Sequence, residues 1–505
     1  MWILIATQLL IVGVDASRFW CHKFEDGQCI APGDAGLTLT TEDKAKMSAF
    51  VKAVLSSSWQ RPQVVNSSTI RNKVLAGYQG WAGARGTWDH WTNDGQMAPS
   101  ATDPDVNHWE HFEMIPQMGE YPLGALQATG FKYHGNGSVV NVYANAAEGV
   151  VDLHFQWMKD YGMDGVLLQR FISDVINPGK GLDHFNTILA QADAAAAKHG
   201  RTYAIMYDMS GAASTWDTDI DADFVSHVKN YTSSERYLKE KGRPVVCIFG
   251  LGLVDHAQAT VDSSLRFIRS MQANGFYVIG SGPYYWREGT HDALPGYSGV
   301  FTAFDAIMPW SVGRYSSALD FSRLGPLVEA DAALTQSRGQ GYAPIAFPGY
   351  SYRGTNKINF IKRYAGQFFR AQIDAYLNTS GVSFNYIAMF DEVHADCTLL
   401  DLDLEWISIA PLGIHPMMDP DGPPKMRDPM QVQEGTAIYK FAANDAESAE
   451  PGTSPQGPRP FVTASIDGVE APGDLYLTIA GGIAGQFAAA ARGGPPLPPM
   501  PPIQI

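Results

Sequence analysis

Residues 165–171 read Gly165-Val-Leu-Leu-Gln-Arg-Phe171, and seven more runs of this kind recur along the chain: Lys73 to Trp81, Thr202 to Met209, Pro244 to Gly250, Phe276 to Gly282, Ala306 to Trp310, Ala343 to Gly349 and Tyr386 to Asp391. Nearly all are apolar throughout, and each ends in polar, Gly or aromatic residues. A strand with one wet face alternates apolar and polar positions, whereas a parallel strand covered on both faces does not. The runs therefore predict parallel strands, which need long crossover connections. Those connections have helical period. Val151, Phe155 and Met158 share a face ending before Gly162; Phe185, Ile188 and Leu189 precede Lys198-His199-Gly200, a cationic last turn with a Gly stop; Leu265, Ile268 and Met271 precede Gly275. Strand and helix alternating eight times define an α/β chain of the (β/α)8, or TIM, barrel class.

A barrel keeps its working side chains where strands end and run into the following loops. The eighth run delivers Asp391 and Glu392 there, and Glu434-Gly-Thr-Ala-Ile-Tyr-Lys440 presents a further carboxylate before a Gly. Breaking a glycosidic bond needs one carboxyl to protonate the leaving oxygen and a second to act as base or nucleophile, and Glu392 with Glu434 is the natural pair. Spacing alone also fits two solvated carboxylates paired with Lys or Arg. Tyr78, Trp81, Gln169, Arg170, Tyr207, Asp208, Trp286, Arg287, Trp310, Arg314, Tyr315, Tyr350 and Asp391 sit at or just past strand ends and form the candidate substrate-binding set, by ring stacking and hydrogen bonding. For the arginines the competing expectation is a buried ion pair that shapes the mouth. The long segment after Trp81 carries Trp88, His90, Trp91, Trp109 and His111, which suit either a sugar ring or a satellite core under a loop. His154 lies on a helix face and reads as structural. No zinc-type Cys/His spacing or phosphate-cradling Gly loop occurs, so neither a metal nor a cofactor is expected.

With 45% apolar and 17% charged residues among 505, the chain can bury a large core. Its formal net charge of −16 argues against nucleic acid as a partner. Residues 1–16, an uncharged apolar stretch closing on Val14-Asp15-Ala16, read as a signal peptide although the start lacks Lys or Arg. A secreted protein with no further membrane contact is the expectation, and sequons at Asn66, Asn136, Asn230 and Asn378 are open to glycosylation. Cys21 and Cys29 are near enough to form a small disulfide loop, whereas Cys247 and Cys397 have no evident partner. The expected organisation is an N-terminal extension at 17–72, the barrel at 73–440, an exposed Pro/Ser/Glu-rich linker at 441–460 and a short closing element at 461–505.

Several blocks occurring in order, Gly77-Tyr-Gln-Gly-Trp81, Val151-Asp-Leu-His-Phe-Gln-Trp-Met158, Asp164 to Phe171, Ile205-Met-Tyr-Asp-Met-Ser-Gly211, Met308-Pro-Trp-Ser-Val-Gly-Arg-Tyr315, Phe347-Pro-Gly349 and Tyr386 to Glu392, give a specific resemblance. From Gly77 onward the chain resembles fungal and bacterial proteins related to glycoside hydrolase families 71 and 99, some labelled xylosidase/arabinosidase. The family 99 endo-α-mannosidases carry Glu-x-x-Glu-Gly-Thr after strand eight. The resemblance implies that Glu392 acts as base towards a substrate 2-hydroxyl, through an epoxide-like intermediate with retention, and that Glu434 is the acid and then the base. Other families of this class use a carboxylate nucleophile instead. An α-1,3-glucanase like family 71, and a secreted carbohydrate-binding protein without catalysis, are the competing functions.

The chain departs from that motif, because residues 393–431 stand between Glu392 and Val432-Gln433-Glu434. Removing them leaves Phe-Asp-Glu-Val-Gln-Glu-Gly-Thr. The removed piece begins with Val and ends with Gln, which allows the GT and AG borders of an unspliced intron, and it shows no steady period of either kind. The alternative is a genuine insertion looped over the site.

Overall fold

The computed structural model describes residues 64–392 with breaks at 85, 87, 92–117, 133–138, 177–180, 257, 317, 353–356 and 362–365, and also the hairpin strands Lys23–Glu25 and Gln28–Ile30 and residues 46 and 49. Its body is one parallel sheet. The strands are β1 (Val74–Tyr78), β2 (Gly165–Phe171), β3 (Thr202–Asp208), β4 (Arg243–Phe249), β5 (Tyr277–Gly282), β6 (Ala306–Pro309), β7 (Gly341–Tyr342 continuing as Ile345–Ala346) and β8 (Asn385–Ile387). Each pairs in parallel with its neighbours in chain order, and β8 pairs with β1. The first half of β7 bonds to β6 and its second half to β8, which closes the ring.

The expected seventh strand, Ala343 to Gly349, differs here. Pro344 has no N–H to give to a ladder, and the strand changes partner at that point. Ala343 N donates to Ile307 O at 2.9 Å on one side, while Ala388 N donates to Ala346 O at 3.0 Å on the other. The eighth strand is also shorter than its apolar run, ending at Ile387.

Helices α1 (Val150–Tyr161), α2 (Leu182–His199), α3 (Trp216–Asp223), α4 (Val261–Ala273), α5 (Ser298–Ala303), α6 (Ala318–Ser337) and α7 (Gln367–Asn378) fill the seven connections in turn. Gly162 and Gly200 stop α1 and α2 at positive φ, where a side chain would strain the backbone. Thr260 caps α4 by accepting from Ser263 N at 3.2 Å. The strand residues facing these helices and those facing the axis are alike buried, which is why the runs lack alternation. Residues 64–72 lie against the barrel's N-terminal end, where Glu240 Oε2 accepts from Thr69 Oγ1 at 2.7 Å and Ile70 N at 2.9 Å. Glu434, residues 1–16, residues 393–431, the linker and the closing element lie outside the described residues, as do Cys21, the Cys29 side chain, Trp109 and His111. Among the described residues no helix is long and apolar enough to cross a membrane.

Candidate active site

Registered neighbours in a parallel sheet present their side chains to the same face. One row across the sheet is Gln169, Met206, Cys247, Ile279 and Ala306, and the next towards the C-terminal end is Phe171, Asp208, Phe249, Ser281 and Met308. These rows face the axis. Met206 on β3 receives Gln169 Nε2 at 3.6 Å and, from the far wall, the Tyr386 hydroxyl of β8 at 3.7 Å. Trp310, two residues beyond Met308, extends the inward set, its ring 5.0 Å from Phe249 and 6.4 Å from Tyr386. Gln79 likewise follows Gly77, whose Cα looks onto Tyr386 and Met389. Trp81 stacks between His90 at 4.2 Å and inward Phe171 at 5.3 Å. Trp91 instead joins the core, giving its indole N–H to Tyr143 O at 2.8 Å.

The amide atoms of Gln79, Ser281 Oγ and Trp310 Nε1 are sealed from solvent and make no hydrogen bond among the described residues. All three residues are fully or almost fully buried. A buried polar group without a partner costs roughly 1–3 kcal/mol, so a cluster of three such residues at one end of the barrel is a local cost in stability. Glu392, 1% exposed, and Asp208, fully buried, supply the carboxylates. Burial pushes the Tyr386 hydroxyl well above the ordinary tyrosine range, and neighbouring Cys247, Glu392 and Asp208 act in the same direction. Tyr386 therefore stays protonated and offers an O–H at the floor of the mouth.

Asp391 sits beside this set and faces backbone. Its Oδ1 accepts from Gln79 N at 2.6 Å and its Oδ2 from Gly80 N at 2.8 Å, with Asn145 Nδ2 at 3.5 Å. The end of β8 is thereby tied to the loop that carries Gln79. Gly80 makes that loop's turn at φ +65°, a conformation a side chain resists. Asn145 also accepts from Ala82 N at 2.9 Å and donates to the Tyr78 hydroxyl at 3.3 Å. Tyr78 in turn bonds His154 Nδ1 at 2.7 Å, and His154 Nε2 bonds the Tyr121 hydroxyl at 2.8 Å. His154 is structural, as its helix face implied: burial lowers its pKa to about 3 and holds it neutral between two phenols.

Tyr78, Arg170 and Tyr207 differ by one residue from inward positions, and one step along a strand turns a side chain to the opposite face. Arg170 Nε donates to Asp223 Oδ2 at 2.6 Å, and its Nη2 to Asn186 Oδ1 at 2.9 Å. The Tyr207 hydroxyl donates to the same Asp223 at 2.8 Å. Arg287 pairs with Asp331 at 2.8 Å and Glu288 at 2.6 Å, while Trp286 Nε1 donates to Asp331 at 3.1 Å. Arg314 donates to Asp292 at 2.8 and 3.0 Å, and Tyr315 meets Tyr376 at 2.9 Å and Gln372 at 3.2 Å on α7. All three arginines thus sit in ion pairs. Tyr350 is buried just past β7. Of the candidate set, the structure brings Trp81, Gln169, Asp208, Trp310 and Glu392 together around the mouth. Gln79, Ser281 and Tyr386 join them unanticipated, although counting in twos from Gly77, Ile279 and Ala388 would have singled them out.

Fold and site together define a (β/α)8 barrel with an acidic, hydrogen-bonding mouth at its C-terminal end. Two solved structures similar to this chain are those of the family 99 endo-α-mannosidase from Bacteroides thetaiotaomicron, one of them in complex with bis-tris propane. Their TM-scores are 0.51, at 13% and 12% identity, over 84% of this chain and 100% of theirs. At that identity the likeness speaks to the fold. No protein-family model matches the chain, and no curated protein does.

Proposed function

We propose that this protein is a secreted glycoside hydrolase, with Glu392 as one catalytic carboxylate and Glu434 as the other. The observation that carries the reading is Glu392 itself, buried past the end of β8 beside Asp208, Tyr386 and side chains whose polar atoms await partners. A carboxylate in such surroundings can act on a bound ring from which water is excluded. Glu434 completes the pair in the reading drawn from the Glu-x-x-Glu-Gly-Thr motif, with retention of configuration. Glu392 is then the base towards a 2-hydroxyl, or the nucleophile if the conventional route applies. Trp81 and Trp310 offer ring faces, and Gln169 and Asp208 offer hydrogen bonds.

Digestion of a glycan library with product analysis, run beside Glu392→Gln, tests this. A positioned acid or base is worth roughly 10²- to 10⁴-fold, so the variant should lose activity on that scale while retaining its fold and ligand affinity. Near-normal turnover would remove Glu392 from the mechanism. Sugar binding with no turnover in the wild type would make the protein a binding module, and products of α-1,3-glucan alone would make it a glucanase.

A further inference from the structure

We propose that asparagine-linked glycans occupy Asn66, Asn230 and Asn378 and together cover the N-terminal end of the barrel, the end away from the mouth. The proposal rests on the secreted reading above, because only a chain that passes through a glycosylating secretory compartment meets the sugar donor. Two observations support it independently.

The first is placement. Asn66 precedes β1, and its neighbours fasten it to the N-terminal ends of two other strands. Val65 N donates to Gly200 O at 2.8 Å, just before β3, and Lys239 N donates to Ser67 O at 2.7 Å, just before β4. Asn230 follows α3, a turn and a half beyond Phe224, whose ring centroid lies 4.8 Å from that of Phe276 just before β5. Arg236, a few residues on, donates from Nη1 to Val65 O at 3.0 Å, so this stretch adjoins that of Asn66. Asn378 is the last residue of α7, and the chain then runs to Ser383, whose carbonyl accepts from Asn72 N at 2.8 Å. All three sequons therefore fall at one end of the sheet. The mouth lies at the other, about 20 Å away along strands of seven residues.

The second is availability. A glycan is bulky and hydrated, so the folded protein must leave its asparagine in solvent, and all three side chains are exposed. Asn66 Oδ1 accepts from Ser68 N at 3.0 Å and Ser68 Oγ at 2.7 Å, which leaves Nδ2 for the glycan. The hydroxyls beside Asn230 turn to backbone instead, Thr232 to Lys229 O at 2.7 Å and Ser233 to Asn230 O at 2.8 Å. Asn378 Nδ2 donates to Asp374 O at 2.7 Å, and a glycosylated amide keeps one N–H with which to do so. In the transfer, Nδ2 loses a proton and bonds to the anomeric carbon of a lipid-diphosphate oligosaccharide. The bond from that carbon to the diphosphate oxygen breaks, and the lipid diphosphate leaves with the electron pair. Glycans so placed leave the approach to the mouth open.

The test is expression of the full chain, with its own residues 1–16, in yeast. Protein collected from the medium is treated with peptide N-glycosidase in ¹⁸O water, which turns each glycosylated Asn into labelled Asp, and its peptides are mapped by mass spectrometry. Label is expected at Asn66, Asn230 and Asn378, and Asn66→Gln, Asn230→Gln and Asn378→Gln should each lower the mass of the secreted protein by one glycan. Secreted protein in which any of the three stays unlabelled overturns the proposal and leaves the secreted reading intact. Protein retained inside the cell with Met1 in place removes the secreted reading, and the glycosylated face with it.

Discussion

Asp391 commits both carboxylate oxygens to two consecutive backbone amides, yet burial raises its pKa to about 7, with those same amides working against the rise. An unfolded Asp titrates near 3.9, so between about pH 4 and 7 the folded protein holds more protons at this residue than the unfolded chain. Its contribution to stability is therefore greatest below about pH 4 and declines as pH rises to about 7. The slope approaches ~1.4 kcal/mol per pH unit. Asp391→Asn keeps an acceptor for one amide and turns an N–H₂ towards the other, which costs stability at low pH but cannot titrate. Urea unfolding at several pH values in that window should show the wild type losing more stability than the variant as pH rises. Parallel curves would mean that Asp391 is ionised throughout. The residue's identity was legible in Tyr386 to Glu392, but its commitment to Gln79 N and Gly80 N was not, because those partners lie more than three hundred positions away.

At the scale of the element, β1 shows why a barrel strand accepts Gly. A Cβ on Gly77 would stand 2.1 Å from both the Tyr386 hydroxyl and Met389 Cε, on the inward face where β8 crosses close by. Gly77→Ala should thus overpack the floor of the mouth and cost roughly 1–3 kcal/mol, seen as a lower urea midpoint at unchanged m-value. Gly299 in α5 is the contrasting case, with nothing within 4 Å of the place a methyl group would occupy. Ala there should be neutral or stabilising by up to ~1 kcal/mol. If both substitutions behaved alike, the inward packing of β1 would be refuted. Strand existence was legible from apolar runs, and helix ends from Gly162 and Gly200, because burial on both faces and left-handed stops leave local marks. Facing was another matter: Gln169 and Arg170 are adjacent polar residues at one strand end, one inward and one outward, and only the register across β3 and β4 separates them.

For the whole molecule, ring closure is the condition that a site after β8 can stand opposite groups from β3, β5 and β6. It also bears on residues 393–431, which follow directly from Glu392. Two carboxyls serve one glycosidic bond in a retaining reaction at about 5–5.5 Å, and a misplacement of about 1 Å can cost on the order of a hundredfold. A chain lacking 393–431 should therefore fold to the same barrel and be the more active form, since loop closure entropy for the longer one is modest. Assaying the two forms side by side checks the mechanism, and sequencing the transcript checks the origin. Equal activity together with a transcript that encodes the segment would make it a substrate-facing loop instead. By itself the sequence determined the strand and helix order, and hence the barrel, because continuous apolar runs and helical periods are local patterns that few architectures satisfy. It also put acidic, amide and aromatic residues at the strand ends. Tertiary structure alone decided which of them meet: closure of the sheet turns Asp208, Trp310 and Glu392 towards one mouth, and pairs Arg170, Arg287 and Arg314 with Asp223, Asp331 and Asp292, because the facing and partners of a side chain depend on strand register and on residues distant in the chain.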